Sequence, residues 1–150
     1  VSEVSFYHLQ SDPIERALPR LLEKVTERGF RVIVRGVMEK RLEALDESLW
    51  SYRGESFLPH ARDESGLDPA AQPILLTRAG EGNANGANVL VLTEDAAADD
   101  FEKFERCLYM FDGNDETALT AARTRWKAFK EQDIAVSYYQ QTEAGWEKKA

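Results

Sequence analysis

Two stretches of the sequence group side chains that could do chemistry. The first covers residues 119–130, LTAARTRWKAFK, and holds Arg123, Arg125, Lys127 and Lys130 with no acid. On a helical wheel Leu119, Ala122, Trp126 and Phe129 form an apolar stripe. Arg123 and Lys130 share a face, Lys127 lies beside them, and Trp126 falls at the border between the two. Cations around a partly exposed aromatic can hold an acidic peptide with an apolar end. Arg123 would grip a carboxylate bidentately, and Lys127 and Lys130 would attract further acids. An equally economical reading is a solvated helix whose basic half complements the helix dipole. The second stretch, residues 45–60, crowds Trp50, Tyr52, Phe57 and Leu58 near Pro59 and His60. Such aromatics either close the end of a core or anchor a protein partner. His60 has a structural role and a polar rim role open to it, and the sequence favours the structural one.

The sequence lacks the residues for other recognisable chemistry. Gly80, Gly82 and Gly86 are in the wrong order for a dinucleotide fingerprint, and no Gly-Lys-Ser/Thr follows for a P-loop. Asn83, Asn85 and Asn88 make residues 80–88 read as a turn-rich connector. His8 and His60 are far apart, and neither histidine stands at ligand spacing from the lone Cys107, which excludes a recognisable zinc site. No Gly-x-Ser-x-Gly elbow occurs. Glu39, Glu43 and Glu47 read as a solvated helix face, and Asp99, Asp100 and Glu102 as charged surface rather than a cation site. No catalytic residue, metal or cofactor is expected.

The elements that must position these groups alternate. Glu3 to Leu9 reads as a strand. Ser11-Asp12-Pro13 gives a cap and a helix start, and Ile14, Ala17, Leu18, Leu21, Leu22 and Val25 follow at helical spacing to Gly29. Pro19 should kink that helix or shift its start. Residues 30–34 read as a strand buried on both faces, and 38–50 as a helix. Residues 52–71 read as loop. Strands follow at 73–77, 89–93, 106–111 and 134–139, with a turn or short helix at 94–100. A long helix at 114–131 is capped by Asn114 or Asp115. The pattern predicts one α/β domain over residues 1–150, in three layers, with a mostly parallel twisted sheet of about six strands and helices on both faces.

The chain has 150 residues, 43% apolar and 31% charged, a globular balance. Nineteen Lys and Arg stand against 27 Asp and Glu, a net charge of −8. So acidic a surface should not wrap nucleic acid, and a local basic patch is informative for that reason. Cys107 lies in an apolar run and cannot form an internal disulfide, as fits the cytosol. No stretch approaches a membrane span, and the first residues lack the pattern of a secretion signal.

At the two clusters the sequence resembles the chi subunit of bacterial DNA polymerase III. The likeness rests on LDESLW at 45–50 followed by ESFLPH at 55–60, and on ARTRWKAFK at 122–130. A Val-Ser-Phe-Tyr-x-Leu strand at 4–9 and a late Trp146 agree. Trp126 stands where the family leads one to expect Tyr, and residues 80–88 and 94–100 are not obvious family features. The resemblance implies a Rossmann-like, nucleotide-binding-like fold with no catalytic site. It also implies an accessory subunit of the clamp loader in the DNA-directed DNA polymerase III holoenzyme, cytoplasmic and at the nucleoid-associated replisome. Such proteins bind the acidic C-terminal tail of the single-stranded-DNA-binding protein and, elsewhere, the psi subunit, and reach DNA only indirectly. Carried onto this sequence, the tail site falls on Arg123, Trp126, Lys127 and Lys130. The psi-like surface falls on Trp50, Phe57, Leu58, Pro59 and His60. The rival reading is a small-molecule or nucleotide-binding α/β enzyme using the carboxyl ends of the strands. It predicts a pocket there, whereas the chi-like reading predicts only a shallow basic, aromatic groove.

Overall fold

A computed structural model of the chain describes residues 3–52, 58–62, 66–78, 82–143 and 145–150. Its centre is built from the apolar runs without polar interruption. All five residues of β2 (Val32–Gly36) and all four of β5 (Val89–Leu92) are buried, as parallel strands covered on both faces must be. β1 (Glu3–Leu9) and β6 (Arg106–Asp112) pair in parallel beside them. The eight strands run in the order β3-β4-β2-β5-β6-β1-β7-β8, with β3 (His60–Arg62), β4 (Ile74–Arg78), β7 (Val136–Thr142) and β8 (Gly145–Lys148) towards the edges. Every neighbouring pair is parallel except β7 with β8.

Six strands were expected, and the two additions are the short edges. β3 lies inside the stretch read as loop; its three residues are too few to show alternation, and pairing with β4 defines it. β8 is the return of a hairpin that sets Trp146 opposite Gln141.

Helices α1 (Ile14–Glu27) and α2 (Glu39–Ser51) cover one face, and α3 (Glu116–Glu131) the other. Alternation along β2 shows the two cores: Val32 and Val34 join Leu18, Leu22 and Leu45, whereas Ile33 joins Phe6, Tyr109 and Phe129. α1 runs on through Pro19, which is buried, and Gly29 turns the chain out of it at a φ of +84°. Pro13, not Ser11 or Asp12, takes the capping position, and no side chain caps there. Gln141 of β7 instead accepts the N–H groups of Gln10, Ser11 and Asp12 at 3.0–3.1 Å. Asp115 caps α3, accepting from Thr117 N–H at 2.9 Å.

From β1 the chain crosses towards β2, and from β6 it crosses the other way to β7. β6 and β1 therefore flank the switch point of the sheet, where a crevice opens at the carboxyl ends of the strands.

Candidate functional site

α3 is held to the sheet by Ala122 and Phe129, which are buried seven residues apart on one stripe. That anchoring fixes where the four cations point. Arg125 turns inward: its Nη1 donates to Asp95 Oδ1 at 3.0 Å and to the Ala96 carbonyl at 2.8 Å, with the guanidinium 5.1 Å from the Tyr109 ring centre. Arg123, Lys127 and Lys130 are exposed on the other flank. Among the described residues Arg123 and Lys127 make no ion pair.

Trp126 is half-buried at the border between these sides, as the helical wheel predicts. Its ring stands edge-on to Phe6 at 5.4 Å and to Tyr138 at 5.7 Å, and the Lys130 ammonium lies 5.5 Å from its centre. The structure thus brings Arg123, Trp126, Lys127 and Lys130 to one flank of one helix.

Two neighbours of that flank were not legible as site residues. Tyr138 of β7 packs on Trp126, and its hydroxyl is hydrogen-bonded to His8 Nδ1 of β1. Burial and the Arg123 guanidinium hold the His8 imidazole below its ordinary value, with Asp112 pulling the other way. Burial raises the Tyr138 hydroxyl, and Arg123 opposes that rise. Arg123 therefore lies within electrostatic reach of both. Strand alternation places His8 on the face of Phe6, a signal that could have found it.

The second cluster divides. Trp50, at the end of α2, is 59% exposed, with its ring 4.7 Å from that of His60. Pro59 is exposed. Leu58 is 3% exposed and belongs to the core under α1 and α2, so its expected place on a partner surface is corrected to a packing role. His60 is likewise buried, its Nδ1 2.8 Å from the Leu58 carbonyl and its Nε2 3.1 Å from Asp46 Oδ1, off hydrogen-bond alignment. Phe57 lies outside the described residues. Trp50 borders β3 at one edge of the sheet, and Trp126, on α3 of the opposite face, borders β7 near the other.

Of the Gly/Asn segment the structure describes residues 82–88, a connector tied down by its own amides, and Gly80 lies outside the described residues. The Asn85 amide donates to the Val32 and Gln72 carbonyls at 3.0 Å, and Asn83 clasps Ala87. Below it Arg35 and Asp100 form a buried bidentate pair at 2.6 and 2.8 Å, closed by Gly82. Bonding to Arg35 holds the Asp100 carboxyl down at about 2 against the cost of burial. The acidic stretch is also used internally: Glu94 accepts from the N–H groups of Val37 and Met38 at the start of α2, and Asp95 holds Arg125 and Tyr109.

A cleft of about 670 Å³ does open at the switch point, contrary to the expectation of a groove alone. Asp12, Glu15, Glu94, Asp95, Asp112 and Asp115 line it, with Arg41. Glu15 is paired with Arg41, and Asp115 caps α3. A phosphate entering there would meet an excess of like charge, so the cleft does not suit a nucleotide. Among the described residues no group of three His, Cys, Asp or Glu could hold a metal ion, and no helix is long and apolar enough to cross a membrane.

Fold and surface together define a doubly wound α/β protein with a basic, aromatic flank on one helix. The chain belongs to the DNA polymerase III chi subunit family: its match to that family, described as DNA polymerase III chi subunit, HolC, runs over residues 1–137. A Pseudomonas aeruginosa protein, DNA polymerase III subunit chi, is 32% identical over 136 residues, which cover 88% of this chain and 92% of that one. A Rickettsia prowazekii protein, probable DNA polymerase III subunit chi, is 32% identical over 92 residues, 61% of this chain. The chain spans about half the length of that second relative, 54%. The family is that of a replication accessory subunit of DNA polymerase III.

Proposed function

We propose that this chain is a non-catalytic subunit of the replicase clamp loader, a single domain over residues 1–150 that needs no cofactor. Its α3 flank holds the acidic, carboxylate-ended tail of the single-stranded-DNA-binding protein. The observation that carries this reading is the split between the helix's cations. Arg125 is spent on Asp95 and the Ala96 carbonyl, while Arg123, Lys127 and Lys130 stay exposed around a half-buried Trp126. A basic helix serving only its dipole would not need an aromatic among those cations. Arg123 supplies a planar fork for a carboxylate, the lysines supply less directional charge, and Trp126 supplies a face for an apolar terminal side chain. DNA is reached through that partner, in the cytoplasm at the nucleoid-associated replisome. A psi-like clamp-loader partner meets the chain at the other edge, where Trp50 and Pro59 face outward.

Titration with an acetylated peptide of several aspartates and an apolar C-terminal residue tests the tail site. The peptide should bind, and deleting its last residue should remove most of the affinity. Equal binding by the truncated peptide would leave Trp126 without a role and overturn the assignment.

A further inference from the structure

His8 ends a continuous run of rings that starts at the tail flank. Trp126 meets Tyr138 at 5.7 Å, and Tyr138 meets His8 at 5.8 Å and is hydrogen-bonded to its Nδ1. Phe111 lies beneath, 5.1 Å from the imidazole. Gly113 closes the remaining side so tightly that a Cβ there would stand 1.8 Å from Nε2. The imidazole is therefore held in one place. The groups that face it are Tyr138 from β7, Asp112 from the end of β6 and Arg123 from α3. The cation is felt more strongly than the acid, and together with burial it disfavours a second positive charge.

Building on the tail reading above, we propose that His8 and Tyr138 are positioning residues of the tail groove, and that docking of the carboxylate-ended acidic peptide takes up a proton on His8. Neutral imidazole and hydroxyl share one hydrogen across Nδ1 and Oη. An imidazolium must donate from Nδ1, so the Tyr138 oxygen becomes the acceptor and its own hydrogen turns free to donate to a peptide carboxylate. The proton comes from solvent and is bound as an N–H on the imidazole; the remaining changes are in hydrogen bonds. A carboxylate seated on Arg123 cancels the repulsion that keeps His8 neutral and adds an attraction. His8 thus binds its proton more tightly in the complex than in the free chain, so affinity rises as pH falls.

Calorimetric titration of the full chain with the acetylated peptide, at about pH 8 and about pH 6, tests this, since peptide carboxylates stay ionised across that range. The peptide should bind more tightly at the lower pH, by a factor that a half-unit to one-unit shift limits to about three- to tenfold and reaches in full only below both titrations. Buffers of different ionisation enthalpy should show net proton uptake. His8→Gln should flatten the pH profile, and Tyr138→Phe, which keeps the rings and removes the relay, should lessen its slope. Imidazole titration by NMR in the unsubstituted chain, free and bound, reads the same shift should either variant unfold. Binding at the higher pH with no tightening, no proton uptake and an unmoved His8 titration overturns the proposal and leaves the tail reading standing. No binding at either pH removes both.

Discussion

Arg123 and Arg125 stand two positions apart on α3, and alanine at each should have opposite consequences. Arg125 keeps 22% of its side-chain exposure and Asp95 46%, so solvent screens their ion pair to about 0.5 kcal/mol. The bond to the Ala96 carbonyl adds about 1 kcal/mol, and the position over the Tyr109 ring about 0.5–1 kcal/mol. Arg125→Ala should therefore cost about 2 kcal/mol, lowering the melting temperature by about 4–8 °C for a chain of this size. Arg123 has no such ties, and its loss should change stability by less than about 0.5 kcal/mol. In peptide titration the order reverses. Arg123→Ala removes the fork and should cost about 2 kcal/mol, roughly thirtyfold in affinity. Arg125→Ala, assayed where it is still folded, should bind within about twofold of the unsubstituted chain, since its guanidinium faces the other flank. Thermal melts beside calorimetry decide the matter. A destabilised but fully binding Arg123→Ala, or a stable Arg125→Ala that no longer binds, would falsify the division of labour along the helix.

Asp100→Asn should cost about 3–5 kcal/mol in urea unfolding, because it strands Arg35, which is 1% exposed, with a buried charge. The Asp100 carboxyl is held at about 2, below its ordinary 3.8, so its contribution is complete above about pH 4 and fades as pH falls through 2; acid unfolding of the Asn variant should lack that component. Cys107 is buried and its thiol is pushed up to about 12, so it should resist a thiol reagent at neutral pH until the chain unfolds; prompt labelling of folded protein would contradict its place in the core. Leu58→Ala should cost about 2–5 kcal/mol, while Trp50→Ala should shift the melt much less and weaken capture of a psi-like partner. Equal melts for those two variants would refute the separation of core from surface at that edge.

What the sequence made legible follows the range of each interaction. Ile14 to Val25 and Leu119 to Phe129 repeat their apolar residues every three to four positions, and both helices stand where that period sets them. The helical wheel also separated Arg123 from the apolar stripe, because the relevant geometry spans one helix. Leu58 misled for the opposite reason: its burial depends on the roof made by α1 and α2, which a loop-like sequence between Trp50 and His60 does not announce. His8 and Tyr138 are 130 positions apart and meet through the register of β1 with β7. Asp100, read as charged surface, is in fact half of a buried pair with Arg35, 65 positions away. Pairings of that kind need the sheet order, which local periodicity does not contain.

Charge gives a physical reason to place the proposed tail site on the side of a helix and not in the crevice the topology opens. Between β6 and β1 the scaffold offers a cleft where doubly wound proteins often hold anionic ligands. Here six carboxylates ring it, and several are committed to the local framework: Glu94 to the start of α2, Asp115 to the start of α3, Glu15 to Arg41, Asp95 to Arg125. The same contacts consume Arg41, which lines the cleft, and Arg125, which bonds to Asp95 at its edge. Arg35 is consumed by Asp100. Arg123, Lys127 and Lys130 on the far flank of α3 therefore form a local run of exposed positive charge in a chain of net charge −8. On the proposed reading, an acidic peptide is turned away from the strand ends and drawn towards Arg123, Lys127 and Lys130, where Trp126 offers an apolar surface.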